Sequence, residues 1–67
     1  MSPNEHDEAV EILAIEEADA WFEYLEATRW HAAAGRYDEV EPWAWARLRQ
    51  RLGTVATRRD ELRPAAA

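Results

Sequence analysis

The chain has 67 residues, no Cys and a formal net charge of −6. A chain this short forms at most one domain with a small core, and the lack of Cys excludes disulfide bonds as a means of stabilising it. No Cys/His cluster suggests a structural zinc site. Association with a second protein surface is therefore the expected source of additional stability.

Composition also bears on location. No run of about 18 apolar residues occurs, as a membrane span would require. The first eight residues are acidic, whereas a secretory signal would be basic and then apolar. We therefore expect a cytoplasmic protein with no membrane contact. All eight basic residues are Arg and 14 of the 67 residues are Ala, a bias typical of GC-rich bacterial genomes.

The charges are distributed unevenly along the chain. Residues 1–28 contain nine acidic residues and no basic residue, whereas residues 29–67 contain eight Arg and five acidic residues. This distribution allows one half of the chain to attract the other half, either within one molecule or between two molecules.

Residues 1–6 are expected to form a flexible tail, and a first helix is predicted over about residues 7–33. This segment is rich in Glu, Ala and Leu and has no internal Gly or Pro, and Gly35 follows as a C-terminal cap. At 100° per residue, its apolar side chains cover roughly 240° of the helix, of which one neighbouring helix covers only about 100°. The centre of this apolar arc contains Val10, Ala14, Ile15, Ala18, Trp21, Phe22 and Leu25, and its flank contains Leu13, Ala20, Tyr24 and Ala27.

The polar side of the first helix is acidic and contains Glu8, Glu16, Asp19, Glu23 and Glu26. A turn at residues 34–38 leads to a second predicted helix over about residues 39–63, and residues 64–67 are expected to form another flexible tail. Asp38 with Glu41 fits a capping box, whereas Pro42 fits the first helical position, so two starting points remain open. The second helix has a heptad pattern of Trp45, Leu48, Leu52, Val55, Arg59 and Leu62, with Arg47, Arg51 and Arg58 on a separate face.

These elements predict an all-α fold, a two-helix antiparallel hairpin that pairs into a four-helix bundle or docks on a partner protein. Folding about the turn brings together positions whose numbers sum to roughly 73. The expected neighbours are Leu25 with Leu48, Ala18 with Val55, Val10 with Leu62, Trp21 with Gly53, and Glu11 or Glu17 with Arg58 and Arg59.

The sequence does not predict an enzyme. Two His and no Cys leave no nucleophilic triad to consider, and two separated Gly do not form a phosphate-binding loop. Thr28 occupies the position three before His31 at which a dimetal motif on a helix requires Glu. We therefore expect no catalytic residue, no metal, no cofactor and no small-molecule substrate.

The leading hypothesis is a non-catalytic helical protein–protein interaction module, either a homodimer or a small adaptor or regulator subunit that binds another helical protein. The aromatic residues fit the core and the closed end of the hairpin, where Trp30, Tyr37 and Trp43 could cluster. They also fit a binding surface, because Trp, Tyr and Arg are enriched at interface hot spots. The candidate partner-binding residues are Leu13, Ala20, Trp21, Tyr24, Trp30, Trp43, Arg47 and Arg51.

Two other hypotheses follow from the charges. Acidic helix faces are usually solvated, but the acidic side of the first helix could also belong to a small inhibitor, antitoxin-like or mimicking nucleic acid, that neutralises a basic target protein. The three Arg of the second helix, with Trp43 one turn before Arg47, could bind nucleic acid weakly, although the net negative charge disfavours this.

Overall fold

The computed structural model describes residues 3–63, which form two α-helices joined by a short turn. Helix α1 comprises Pro3–Ala33 and helix α2 comprises Tyr37–Leu62. They pack against each other in antiparallel orientation, giving a molecule with extents of 52 × 19 × 11 Å. The predicted all-α helical hairpin is confirmed.

Both helices begin earlier than predicted. Helix α1 begins at Pro3, so residues 3–6 are helical and do not form part of a tail. Pro is favourable at the first position of a helix, and the negative charge of Glu5 in the first turn interacts favourably with the helix dipole. Helix α2 begins at Tyr37, and Pro42 lies inside it. Arg36 precedes α2 without a side-chain cap, although its guanidinium pairs with Glu39 at 3.1 Å. The remaining tail positions, 1–2 and 64–67, lie outside the described residues.

The turn between the helices has the hydrogen bonds of a Schellman motif. The Arg36 N–H donates to the His31 carbonyl at 2.6 Å, and the Gly35 N–H donates to the Ala32 carbonyl at 3.0 Å. Gly35 has a φ of +74°, a left-handed conformation that side chains disfavour. Gly35 therefore ends α1 as the sequence predicted and turns the chain back along it.

The core of the hairpin is a narrow strip between the two helices. Leu48 is the most enclosed large side chain, at 2% exposure, and Ala20 of α1 is almost completely buried at 1%. Thr28 is also buried, and its hydroxyl donates to the Tyr24 carbonyl at 2.9 Å. The other buried residues are Leu13 on α1 and Val40, Ala44 and Val55 on α2.

The expected rotation of α1 about its own axis is wrong. Leu25 and Ala18 were expected to pack against α2, but both are exposed, because the flank of the apolar arc faces α2 instead of its centre. Trp21 does not pack on Gly53, since none of its atoms lies within 4 Å of a Cβ built at that glycine. Val10 and Leu62 do line a common depression near the open end of the hairpin. The lengthwise alignment is thus close to the expected one, whereas the buried face differs.

The two glycines provide a matched pair of substitutions. Gly53→Ala should stabilise the protein by up to about 1 kcal/mol, because the site is helical and has room for a methyl group. Gly35→Ala should destabilise it by about 1 kcal/mol, because its φ is positive. Urea unfolding followed by circular dichroism measures both, and a loss of stability in Gly53→Ala would contradict the described packing.

The core can be tested at Leu48. Leu48→Glu places a carboxylate without a partner in the buried strip and should abolish cooperative thermal unfolding at neutral pH. Gln50→Glu introduces the same charge at an exposed position of the same helix and should change the free energy of unfolding by no more than about 0.5 kcal/mol. Equal effects of the two substitutions would show that Leu48 is not enclosed.

Candidate interaction surface

One side of the hairpin is occupied by ion pairs that connect the two helices. Arg47 and Arg51 of α2 both donate hydrogen bonds to Glu23 of α1. Closer to the open end, Arg58 lies 3.9 Å from Glu16. We call this set the charged row; its members are Glu16, Asp19, Glu23, Arg47, Arg51 and Arg58. The acidic side of α1 and the arginine face of α2 therefore meet within one molecule.

Arg51 is the most enclosed member of the charged row, with 28% of its side chain exposed. Its guanidinium donates to Asp19 at 3.1 Å and also binds Glu23. The hydrogen bond to Asp19 and the charge of Glu23 raise the pKa of Arg51, against the opposing effect of burial. Arg51 thus holds two acidic residues of α1 in place over the helix interface.

The opposite side of the hairpin carries three aromatic rings in contact, which we call the aromatic cluster: Trp21, Tyr24 and Trp45. The ring of Tyr24 packs edge-on against Trp21, with centroids 6.2 Å apart, and at 67° to Trp45, with centroids 5.8 Å apart. Both Trp side chains remain exposed on their outer surfaces. The cluster therefore joins the helices and also presents apolar surface to solvent.

The polar end of Tyr24 lies near Glu41 and Tyr37. Burial, followed by the charge of Glu41 and the neighbouring Tyr37 hydroxyl, raises the pKa of Tyr24. The Oε2 atom of Glu41 is buried and accepts no hydrogen bond from the residues that the structure describes. These surroundings favour the neutral phenol of Tyr24 over the charged phenolate.

A second apolar surface lies on the side of α1 that faces away from α2. Ile15, Phe22 and Leu25 are 61%, 63% and 54% exposed, and Ala18 lies between them on the same side. Their spacing of three, four and three residues is a heptad pattern. We call Ile15, Ala18, Phe22 and Leu25 the outer face. It exposes large side chains that the hairpin itself leaves uncovered.

The outer face continues into the aromatic cluster. Trp21 precedes Leu25 by four residues and Ala18 follows Ala14 by the same interval, so these side chains are neighbours on the helix surface. The combined apolar surface extends from the side of α1 that faces away from α2 to the contact between Tyr24 and Trp45. Extended exposed patches of this kind are typical of interaction sites.

The structure separates the candidate partner-binding residues into four groups. Leu13 and Ala20 are buried between the helices and are not accessible to a partner of the intact hairpin. Trp21 and Tyr24 belong to the aromatic cluster. Trp30 and Trp43 are exposed, at 71% and 55%, towards the closed end. Arg47 and Arg51 belong to the charged row.

Sequence reasoning missed the outer face as a binding surface, because it assigned these residues to the interior of the hairpin. The signal that could have identified them is the match between the charges of the two helices. Aligning the acidic side of α1 with the arginines of α2 turns Phe22 and Ile15 away from α2.

Within residues 3–63, no group of three or more His, Asp or Glu side chains is arranged to hold a metal ion. No helix in this part of the chain has the length and apolar character needed to cross a membrane. Comparisons of the chain with protein-family models, curated proteins and solved structures find no match.

The raised pKa of Tyr24 predicts a pH dependence. Since the folded state raises this pKa above the unfolded value of about 10, the contribution of Tyr24 to stability is complete below that pH and is lost as pH rises through the folded pKa. Urea unfolding over a pH series should show a weaker alkaline loss of stability in Tyr24→Phe than in the wild type. Tyr37→Phe should retain most of the wild-type dependence of stability on pH, because burial is the largest cause of the raised pKa of Tyr24. Equal pH dependence in the wild type and in Tyr24→Phe would show that Tyr24 does not cause the alkaline loss of stability.

Proposed function

We propose that this chain is a non-catalytic helical protein–protein interaction module, acting as a homodimer or as a small adaptor or regulator subunit. The observation that carries the proposal is the outer face of α1. Ile15, Phe22 and Leu25 stay more than half exposed while the core between the helices is fully enclosed. Burial of such side chains on another surface is favourable, by about 1.5 to 3 kcal/mol for complete burial of one.

The pattern of the outer face supports a helical partner. Its heptad spacing matches the side-chain spacing of a helix packed alongside at a shallow angle. Ala18 lies between the large side chains Ile15 and Phe22, and its small size would let a side chain of the partner approach the helix closely. An extended peptide would instead contact every second residue of a sheet edge, which this protein does not present among the described residues.

The charged row does not favour the inhibitor or nucleic-acid hypotheses. Glu16 and Glu23 are engaged by arginines of α2, and Glu26 lies 3.8 Å from Arg29. These carboxylates are therefore partly neutralised before any basic target arrives. The arginines of the row are occupied by the same pairs, which reduces the positive charge available to phosphates.

A photocrosslinking residue on the outer face tests the proposal. Benzoylphenylalanine in place of Phe22 should form a covalent adduct on illumination of living cells of the source organism, because that side chain would contact the partner. The matched control carries the same residue at Thr57, an exposed position on α2. Adduct formation is measured by immunoblotting and mass spectrometry.

Strong adducts at position 22 with little or none at position 57 would support an interaction through the outer face. Circular dichroism of both purified variants should show the helix content of the wild type, because neither side chain contributes to the buried strip. Equal labelling at the two positions, or no adduct at position 22, would contradict the proposal.

A further inference from the structure

We propose that the outer face of α1 is covered by the outer face of a second copy of this chain. The two α1 helices would run antiparallel about a twofold axis at the level of residue 20. This inference rests on the proposed function and identifies the partner. Two hairpins joined in this way form a four-helix assembly in which each α1 lies between its own α2 and the other α1.

The outer face is self-complementary in antiparallel orientation. With the axis at residue 20, positions whose numbers sum to 40 lie opposite each other. Ile15 then faces Leu25 of the second copy, and Phe22 faces Ala18 of the second copy. Both contacts occur twice by symmetry. The largest side chain of the surface thus meets the smallest one, which is the arrangement that allows helices to pack closely.

The charges that extend the outer face fit the same arrangement. Continuing the heptad spacing by four residues in each direction reaches Glu11 and Arg29, and their numbers also sum to 40. Arg29 lies 3.8 Å from Glu26 but has 78% of its side chain exposed, so it can also approach a second carboxylate, and Glu11 is exposed as well. An antiparallel dimer therefore places an opposite charge at both ends of each outer face. A parallel dimer would instead oppose Glu11 to Glu11 and Arg29 to Arg29.

The two borders of the outer face are also compatible with this dimer. On one border, Trp21 of each copy lies near the axis, where the two rings can pack on each other and become shielded from water. On the other border Asp19 approaches Asp19 of the second copy. Each of these carboxylates already accepts a hydrogen bond from Arg51 of its own chain at 3.1 Å. Arg51 of each chain thus compensates the negative charge of its own Asp19 at the axis.

The first experiment compares two isoleucines of α1 by sedimentation equilibrium. Ile15 on the outer face and Ile12 beside it are similarly exposed, at 61% and 54%. The wild type should dimerise, and Ile15→Glu should weaken dimerisation by at least about 30-fold, because the carboxylate would be buried against Leu25. Ile12→Glu should weaken it by no more than about threefold, since it lies at the border. Circular dichroism confirms that both variants stay helical.

The second experiment tests the antiparallel orientation by exchanging charges. Glu11→Arg and Arg29→Glu should each weaken homodimerisation by about tenfold, because each creates like charges at both ends of the outer face. Mixing the two variants restores opposite charges at both ends. Native mass spectrometry of the mixture should therefore show more heterodimer than the statistical half of all dimers.

Several results would overturn the inference. A wild type that stays monomeric at about 0.5 mM, well above the range for a specific dimer, excludes the second copy. A statistical mixture of charge variants excludes the antiparallel orientation. An adduct at position 22 with the mass of another protein, from a chain that is monomeric alone, would refute self-association and leave the proposed function intact. No adduct at that position, together with a monomeric wild type, would refute both.

Discussion

The ion pairs between α1 and α2 determine which face of α1 is enclosed. Apolar side chains cover more than half of the circumference of α1, so apolar burial alone allows several rotations of this helix against α2. Exposed ion pairs are individually weak, but they decide between packings that bury similar apolar area. Turning Phe22 towards α2 would separate Glu23 from Arg47 and Arg51 and would leave a partly enclosed guanidinium without its acceptors.

The number of helices, their approximate length and their lengthwise alignment could be predicted from the sequence. Gly35 marked the end of α1, and the symmetry about the turn correctly placed Glu17 beside Arg59. The rotation of α1 could not be obtained from apolar periodicity, because an arc of roughly 240° has no single face that a neighbouring helix must cover. The starts of the helices were also missed. Pro3 is suited to the first position of α1, a signal that the prediction did not use, whereas α2 begins at Tyr37 after Arg36, which forms no side-chain cap.

The candidate surface was predicted only in part, for the same reason. An excess of apolar surface on α1 could be inferred from the sequence, and the structure leaves such an excess exposed. The residues that form it differ from the predicted ones. Leu13 and Ala20, on the flank of the apolar arc, lie in the core, whereas Ile15 and Phe22, at its centre, lie on the outer face. The charges of the two halves of the chain contained the missing information, because opposite charges that meet along one side fix the rotation of both helices.

The tight connection between the helices has a kinetic consequence. Only residues 34–36 separate α1 from α2, so closing the loop costs little chain entropy and side chains next to Gly35 meet first. Pairing can then proceed from that end towards the termini, as expected for folding dominated by local contacts, which takes microseconds to milliseconds. Encounters between separate molecules at micromolar concentration are slower. Newly made chains therefore complete their own hairpins before they meet, which disfavours exchange of helices between molecules.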